Sequence, residues 1–245
     1  MPPSIPAKQQ LVAPVVRGAA AESARNVRVR VWDLPTRLSH WMIVGLFGVC
    51  WWTAESDHWE WHRLAGYGML CAVWFRLAWG FCGAQTARFG EFVRGPGATF
   101  RYVRKLFGSG GEDSPAPIGH NPLGAVSILV MLGLLITQTA FGLFAVNVDG
   151  IASGPLSEFV SFDTGRLFAH LHALNFDLLL LMVAIHLSAI GFYRFARNEK
   201  LVAAMIHGVK SRASTGEIPY FVPRWRAVVL AAVVITCVVL LVNIR

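Results

Sequence analysis

The 245-residue chain is 55% hydrophobic and only 15% charged, well below the roughly 25% charged residues of an average soluble domain. Its apolar residues collect in long uncharged runs, which excludes an ordinary soluble domain and points to a membrane protein. The formal net charge of +8 would suit nucleic acid, but the charge is segregated loop by loop as membrane spans require, so nucleic acid is excluded as a partner.

In chain order, the N-terminal residues lack the apolar centre of a cleaved signal peptide, and 1–30 are expected to form a cytoplasmic tail without stable structure. The first span, 37–54, is entered through "VRVWDLPTRLSHW", where Asp33 or Thr36 can cap a helix and Pro35 suits its first turn. The second span, 61–83, starts beside Trp59 and Trp61 at interfacial positions. A basic loop, 84–121, follows, with a "GSGGEDSPAP" hinge at 108–117. The third span, 122–146, opens at Asn121–Pro122. The fourth covers 169–193, residues 198–212 read as a short amphipathic helix on the cytoplasmic surface, and the uncharged fifth covers 227–244. About 20 residues at 1.5 Å each cross the hydrocarbon core, so every run can span it. The expected fold is all-α: a four-helix integral membrane bundle over 31–212, then a linker and an additional C-terminal transmembrane helix over 213–245.

Orientation follows from the basic residues. Lys and Arg number six up to Arg37, five in 84–121 and seven in 193–226, against none in 54–60 and one in 147–167. The positive-inside rule then places the N-terminus in the cytoplasm and the C-terminus in the periplasm of a bacterial inner membrane. Glu55, Asp57, Glu60, Asp149, Glu158 and Asp163 make the opposite face acidic. Cys50, Cys71, Cys82 and Cys237 all fall inside spans, where they pack as small hydrophobes. No CxxCH occurs, which excludes covalently attached c-type haem.

The histidines carry the chemistry. On a helix the 14-residue step from His172 to His186 ends about 40° short of four full turns, so both rings share one face about 21 Å apart. His170 falls on the opposite face. His40 opens the first span on the cytoplasmic side, toward which His186 lies, and His62 opens the second on the outer side, toward which His172 lies; the inner two are not level in depth, and helix tilt of about 20° absorbs part of the difference. Each pair, His40/His186 and His62/His172, is suited to clamp a flat macrocycle with imidazole nitrogens on both axial positions of an iron. Zinc, which wants about four converging ligands, is disfavoured. Gly66, Gly68, Gly80 and Gly83 in the second span and Gly124, Gly133 and Gly142 in the third can admit a ring or a close helix. Arg63 and Arg76 are candidates to pair with propionates of the outer and inner haems, and His120 to reach a propionate or quinone on the inner side or to cap its loop. Asp177 is an ionisable group within a span, a candidate for a hydrogen bond or a proton path.

The segments "VWDLPTRLSHW" (31–41), "HRLAGYGMLCAVWFRLAWGFCG" (62–83), "ARFGEFVRGP" (87–96), "GHNP" (119–122), the two-histidine fourth span and "NEKLVAAMIHGVK" (198–210) resemble, in order, the prokaryotic cytochrome b561 family, which includes the b-type cytochrome subunits of nickel–iron hydrogenases. The resemblance implies two haem b groups between four core helices, with ligands at His40, His62, His172 and His186. It further implies electron exchange between the quinone pool and a periplasmic redox protein such as a cytochrome c, which the acidic outer loops would suit. The family usually shows an acidic residue right after the first histidine of the fourth span; here it is Ala173. The competing readings are a superoxide:quinone oxidoreductase, or a membrane subunit exchanging electrons with a catalytic redox subunit. A haem-free membrane anchor belongs to a different class.

Overall fold

The computed structural model describes residues 26–107, 119, 121–148, 152–213 and 218–244. Most of the N-terminal tail, the 108–117 hinge, His120 and Asp149 lie outside the described residues.

Among the described residues, five long helices make the body of the protein. They are α1 (Leu34–Glu55) and α2 (Trp59–Cys82), then, after two short helices α3 (Phe89–Phe92) and α4 (Pro96–Phe107), α5 (Pro122–Phe144) and α6 (Phe162–Ala196). A helix of about two turns, α7 (Leu201–His207), leads on to α8 (Trp225–Val242). Of these, α2, α5, α6 and α8 are long and apolar enough to cross a membrane. The first is not among them: α1 has the length, 22 residues, but Arg37, His40 and Glu55 make it less apolar. The 35 residues of α6 extend about 52 Å, so this helix overshoots a hydrocarbon core of about 30 Å.

Side-chain caps set where the helices begin. Asp33, rather than Thr36, caps α1 by accepting from the Thr36 amide at 3.0 Å, with Pro35 in the first turn. Asn121 caps α5 through the Gly124 amide at 2.7 Å, and Ser161 caps α6 through the Thr164 amide. Each satisfies a backbone donor that the helix leaves open.

Packing is pairwise: α1 runs along α2, α5 along α6, and α2 touches α5 and α8. Met69 and Val73 of α2, Leu135 of α5 and Leu179 of α6 form a buried core at mid-height, flanked by Ile43, Leu46 and Phe47 of α1. A second core joins Trp79, Ala84 and Ala87 to Val222 and Ala227, so α8 docks against the end of α2 outside the four-helix core.

Sheet structure was not expected. Asn26–Arg30 (β1) pairs antiparallel with Val209–Ala213 (β2), with Asn26 opposite Ala213. The last residues of the tail are thus held, and the 198–212 segment is helix only over α7. Gly208 makes the switch from helix to strand: its φ of 80° is left-handed, which glycine adopts without a Cβ penalty. Its carbonyl accepts from the amides of Val31 at 2.8 Å and Trp32 at 3.1 Å, tying α7 to the entrance of α1.

A candidate haem site between the helices

At the end of the bundle where α1 gives way to α2, a cavity of about 650 Å³ opens between α1, α2, α5 and α6. His62, Gly66, Gln138, Gly142 and His172 line it. The rings of His62 and His172 face each other with centroids 6.1 Å apart and planes at 76°. His62 Nδ1 lies 2.9 Å from the Cys50 carbonyl of α1, and His172 Nδ1 lies 3.0 Å from the Gln138 carbonyl of α5. A carbonyl only accepts, so both Nδ1 atoms carry the proton and donate it. The lone pair of each imidazole therefore sits on Nε2. Such an outer hydrogen bond orients a histidine for ligation and makes it a better donor of electron density.

Gly142 gives the second ring its room. A Cβ there would stand 3.1 Å from His172 Cε1 and 3.3 Å from Nδ1, close enough that the ring would have to give by a few tenths of an ångström. Gly66, one turn on from His62, has nothing within 4 Å of an added Cβ and leaves the cavity open. Arg63 lies at the cavity margin with Glu55, Asp57 and Glu60.

At the other end, His40 packs edge-on against Trp41 at 5.0 Å. Its buried Nδ1 has no hydrogen-bond partner among the described residues. His186 and Arg76 lie close enough to interact with it electrostatically, so His40, His186 and Arg76 share this end. Arg76 is 7% exposed, its guanidinium lies over the Phe89 ring at 5.5 Å, and its buried Nη1 likewise lacks a partner among the described residues. Orphaned polar atoms at this depth are costly, and an anionic group here would satisfy the Arg76 guanidinium.

The remaining ionisable residues separate from these two ends. His170 is exposed, His58 packs against Trp52 at 5.7 Å, and His207 ends α7. Asp177 is exposed on the outward side of α6, away from the cavity. No group of three or more His, Cys, Asp or Glu gathers among the described residues.

One buried polar residue went unremarked in the sequence. Asn175, 6% exposed, donates to the Leu134 carbonyl at 2.9 Å and to Gln138 Oε1 at 2.6 Å, and accepts from Thr137 Oγ1 at 3.2 Å. The signal available was an amide three residues after His172, inside an apolar span.

No curated protein and no solved structure matches the chain. The model of one protein family, prokaryotic cytochrome b561, matches residues 31–208, from the residue that follows β1 to the glycine that ends α7. A chain of membrane-length helices matched over most of its length in this way belongs to the prokaryotic cytochrome b561 family, whose members are membrane b-type cytochromes that bind haem.

Proposed function

We propose that the protein carries electrons across the bacterial inner membrane on two haem b groups, the outer held by His62 and His172 and the inner by His40 and His186. The facing of His62 and His172 carries this reading. Two imidazoles that held one metal between them would need ring centres about 6 Å apart, and the observed centroids are 6.1 Å apart. The donor set also fits: Nδ1 of each ring is spent on a carbonyl, and Gly142 supplies a notch.

A bis-histidine haem supplies a one-electron couple with no open iron position, suited to electron transfer rather than oxygen binding. The chain's own contributions are specific. His62 and His172 are held in one tautomer. Arg63 and Arg76 are placed to offer charge to propionates at the outer and inner ends. Met69, Val73, Leu135 and Leu179 fill the space between the two ends with dry apolar packing. Because α8 docks outside this core, 31–212 is read as the haem-binding unit, and 213–245 as a linker with an additional span. With α1 included, the chain crosses five times, N-terminus inside.

On the inner side, Tyr102 and Tyr193 share a hydrogen bond of 2.8 Å, and Asn121 donates to Tyr193 at 2.8 Å. Tyr193 lies seven residues beyond His186, on the same helical face. These hydroxyls are suited to a quinone head group at the inner haem. Glu55, Asp57 and Glu60 beside the outer cavity favour a cationic periplasmic partner, such as a cytochrome c, over an anionic substrate such as superoxide.

The test is a reduced-minus-oxidised visible spectrum of the detergent-purified protein with haem b counted per chain. Two per chain is the expected result. None, in protein made with ample haem, would leave a membrane anchor with structural histidines.

A further inference from the structure

We propose that Asn175 is a positioning residue for His172 and thereby tunes the outer haem. The proposal rests on the reading that His172 ligates that haem, and it deepens it.

The argument starts from one turn of α5. Leu134 and Gln138 are four residues apart, so the Leu134 carbonyl and the Gln138 peptide bound a single helical turn. The Asn175 amide donates to the Leu134 carbonyl at 2.9 Å and to the Gln138 side-chain oxygen at 2.6 Å, gripping that turn at both ends. Thr137 Oγ1, 3.2 Å from Asn175 Oδ1, fixes the amide's orientation: a carboxamide oxygen accepts, so the NH2 must point to α5. The Gln138 carbonyl at the end of the gripped turn is the group that takes the His172 Nδ1 proton at 3.0 Å. Asn175 and His172 are three residues apart on one helix, so they present to α5 together.

The clamp therefore sets the distance between the His172 ring and its acceptor, and the ring has little freedom besides, with Gly142 directly against it. An imidazole whose Nδ1–H is held by a carbonyl gives more electron density through Nε2, which favours ferric over ferrous iron. Loosening the turn lengthens that hydrogen bond and raises the outer haem's potential. A simple helix-packing role for Asn175 makes no such prediction.

The experiment is a redox titration of the purified, haem-loaded protein, comparing Asn175→Leu, Thr137→Val and, as a control on the lipid side of α6, Leu178→Ala. The potential lost in His172→Ala identifies the outer haem. Asn175→Leu is expected to retain both haems and to lower the outer haem's preference for the ferric state about tenfold, a rise of about 59 mV for one electron. The inner potential and Leu178→Ala should not move. Thr137→Val, which removes only the hydroxyl, should give a smaller rise, and it carries the test if Asn175→Leu does not accumulate. Two haems with unchanged potentials in Asn175→Leu, or in Thr137→Val where that variant stands alone, overturn the role of Asn175 and leave the di-haem reading intact. Retention of both haems in His172→Ala overturns the ligand assignment, and the proposal with it.

Discussion

Gly142 and His172 fit as notch and ring: a Cβ at Gly142 would come within 3.1 Å of the imidazole Cε1, so the absence of a side chain on α5 is what lets α6 present its histidine to the cavity. An alanine requires the ring to give by a few tenths of an ångström. A branched side chain leaves it no place. Gly142→Val is expected to lose the outer haem and keep the inner one, halving haem b per chain in a pyridine haemochrome assay, whereas Gly142→Ala keeps both. Full haem content in Gly142→Val would show that the ring is not confined there.

The two histidine pairs are expected to act independently. His172→Ala should remove one haem and His186→Ala the other, each variant retaining about half the visible absorbance of the native protein. The lost potentials should differ between the two variants in a redox titration. Loss of both haems in either variant would mean that one pair cannot be filled without the other.

Arg76 is a buried cation with a free Nη1 beside His40. A positive charge near an iron disfavours its ferric state, so Arg76→Gln should lower the inner haem's potential, by an amount on the order of a tenfold change in equilibrium, about 59 mV. The outer potential should hold. A titration in which both haems shift equally would place Arg76 remote from the inner site.

Asp33 serves two partners at the entrance of α1. One oxygen caps the helix at the Thr36 amide, and the other accepts from the indole N–H of Trp79, 2.8 Å away and 1% exposed. Asp33→Ala removes the cap, at about 1 kcal/mol, and strands a buried indole donor, at about 1–3 kcal/mol. Asp33→Asn keeps only one acceptor oxygen, so it can still cap the helix but turns an amide donor toward the indole N–H, and it should recover only the about 1 kcal/mol of the cap. Thermal unfolding in detergent orders the three proteins, and equal melting of Asp33→Ala and wild type would rule out this joint role.

Gly208 should resist even a methyl group. Its φ of 80° is strained for any side chain, and a Cβ would lie 2.7 Å from the Trp32 carbonyl. Gly208→Ala is expected to cost about 1–2 kcal/mol, seen as a lower melting temperature and faster proteolysis around β2.

Much of this molecule follows from the order of its residues. Long uncharged runs specify helices because the bilayer core offers no water to backbone groups. The helical period alone puts His172 and His186 on one face and sends His170 to the other. Asn121 and Asp33 declare their caps by residue type and by the proline that follows. Membership of the b561 family is legible in the same stretches, 31–208. Tertiary structure decided the rest. Every residue has a carbonyl, so only the approach of neighbouring helices could select Cys50 and Gln138 as the acceptors for His62 and His172. The same holds for Asn175, whose three partners all come from α5, and for β1 and β2, which lie about 180 residues apart and pair only because α7 returns to the start of α1. A span's hydrophobicity places it in the membrane; its rotation and its neighbours are set by packing, and that packing turns histidines in separate helices into a site.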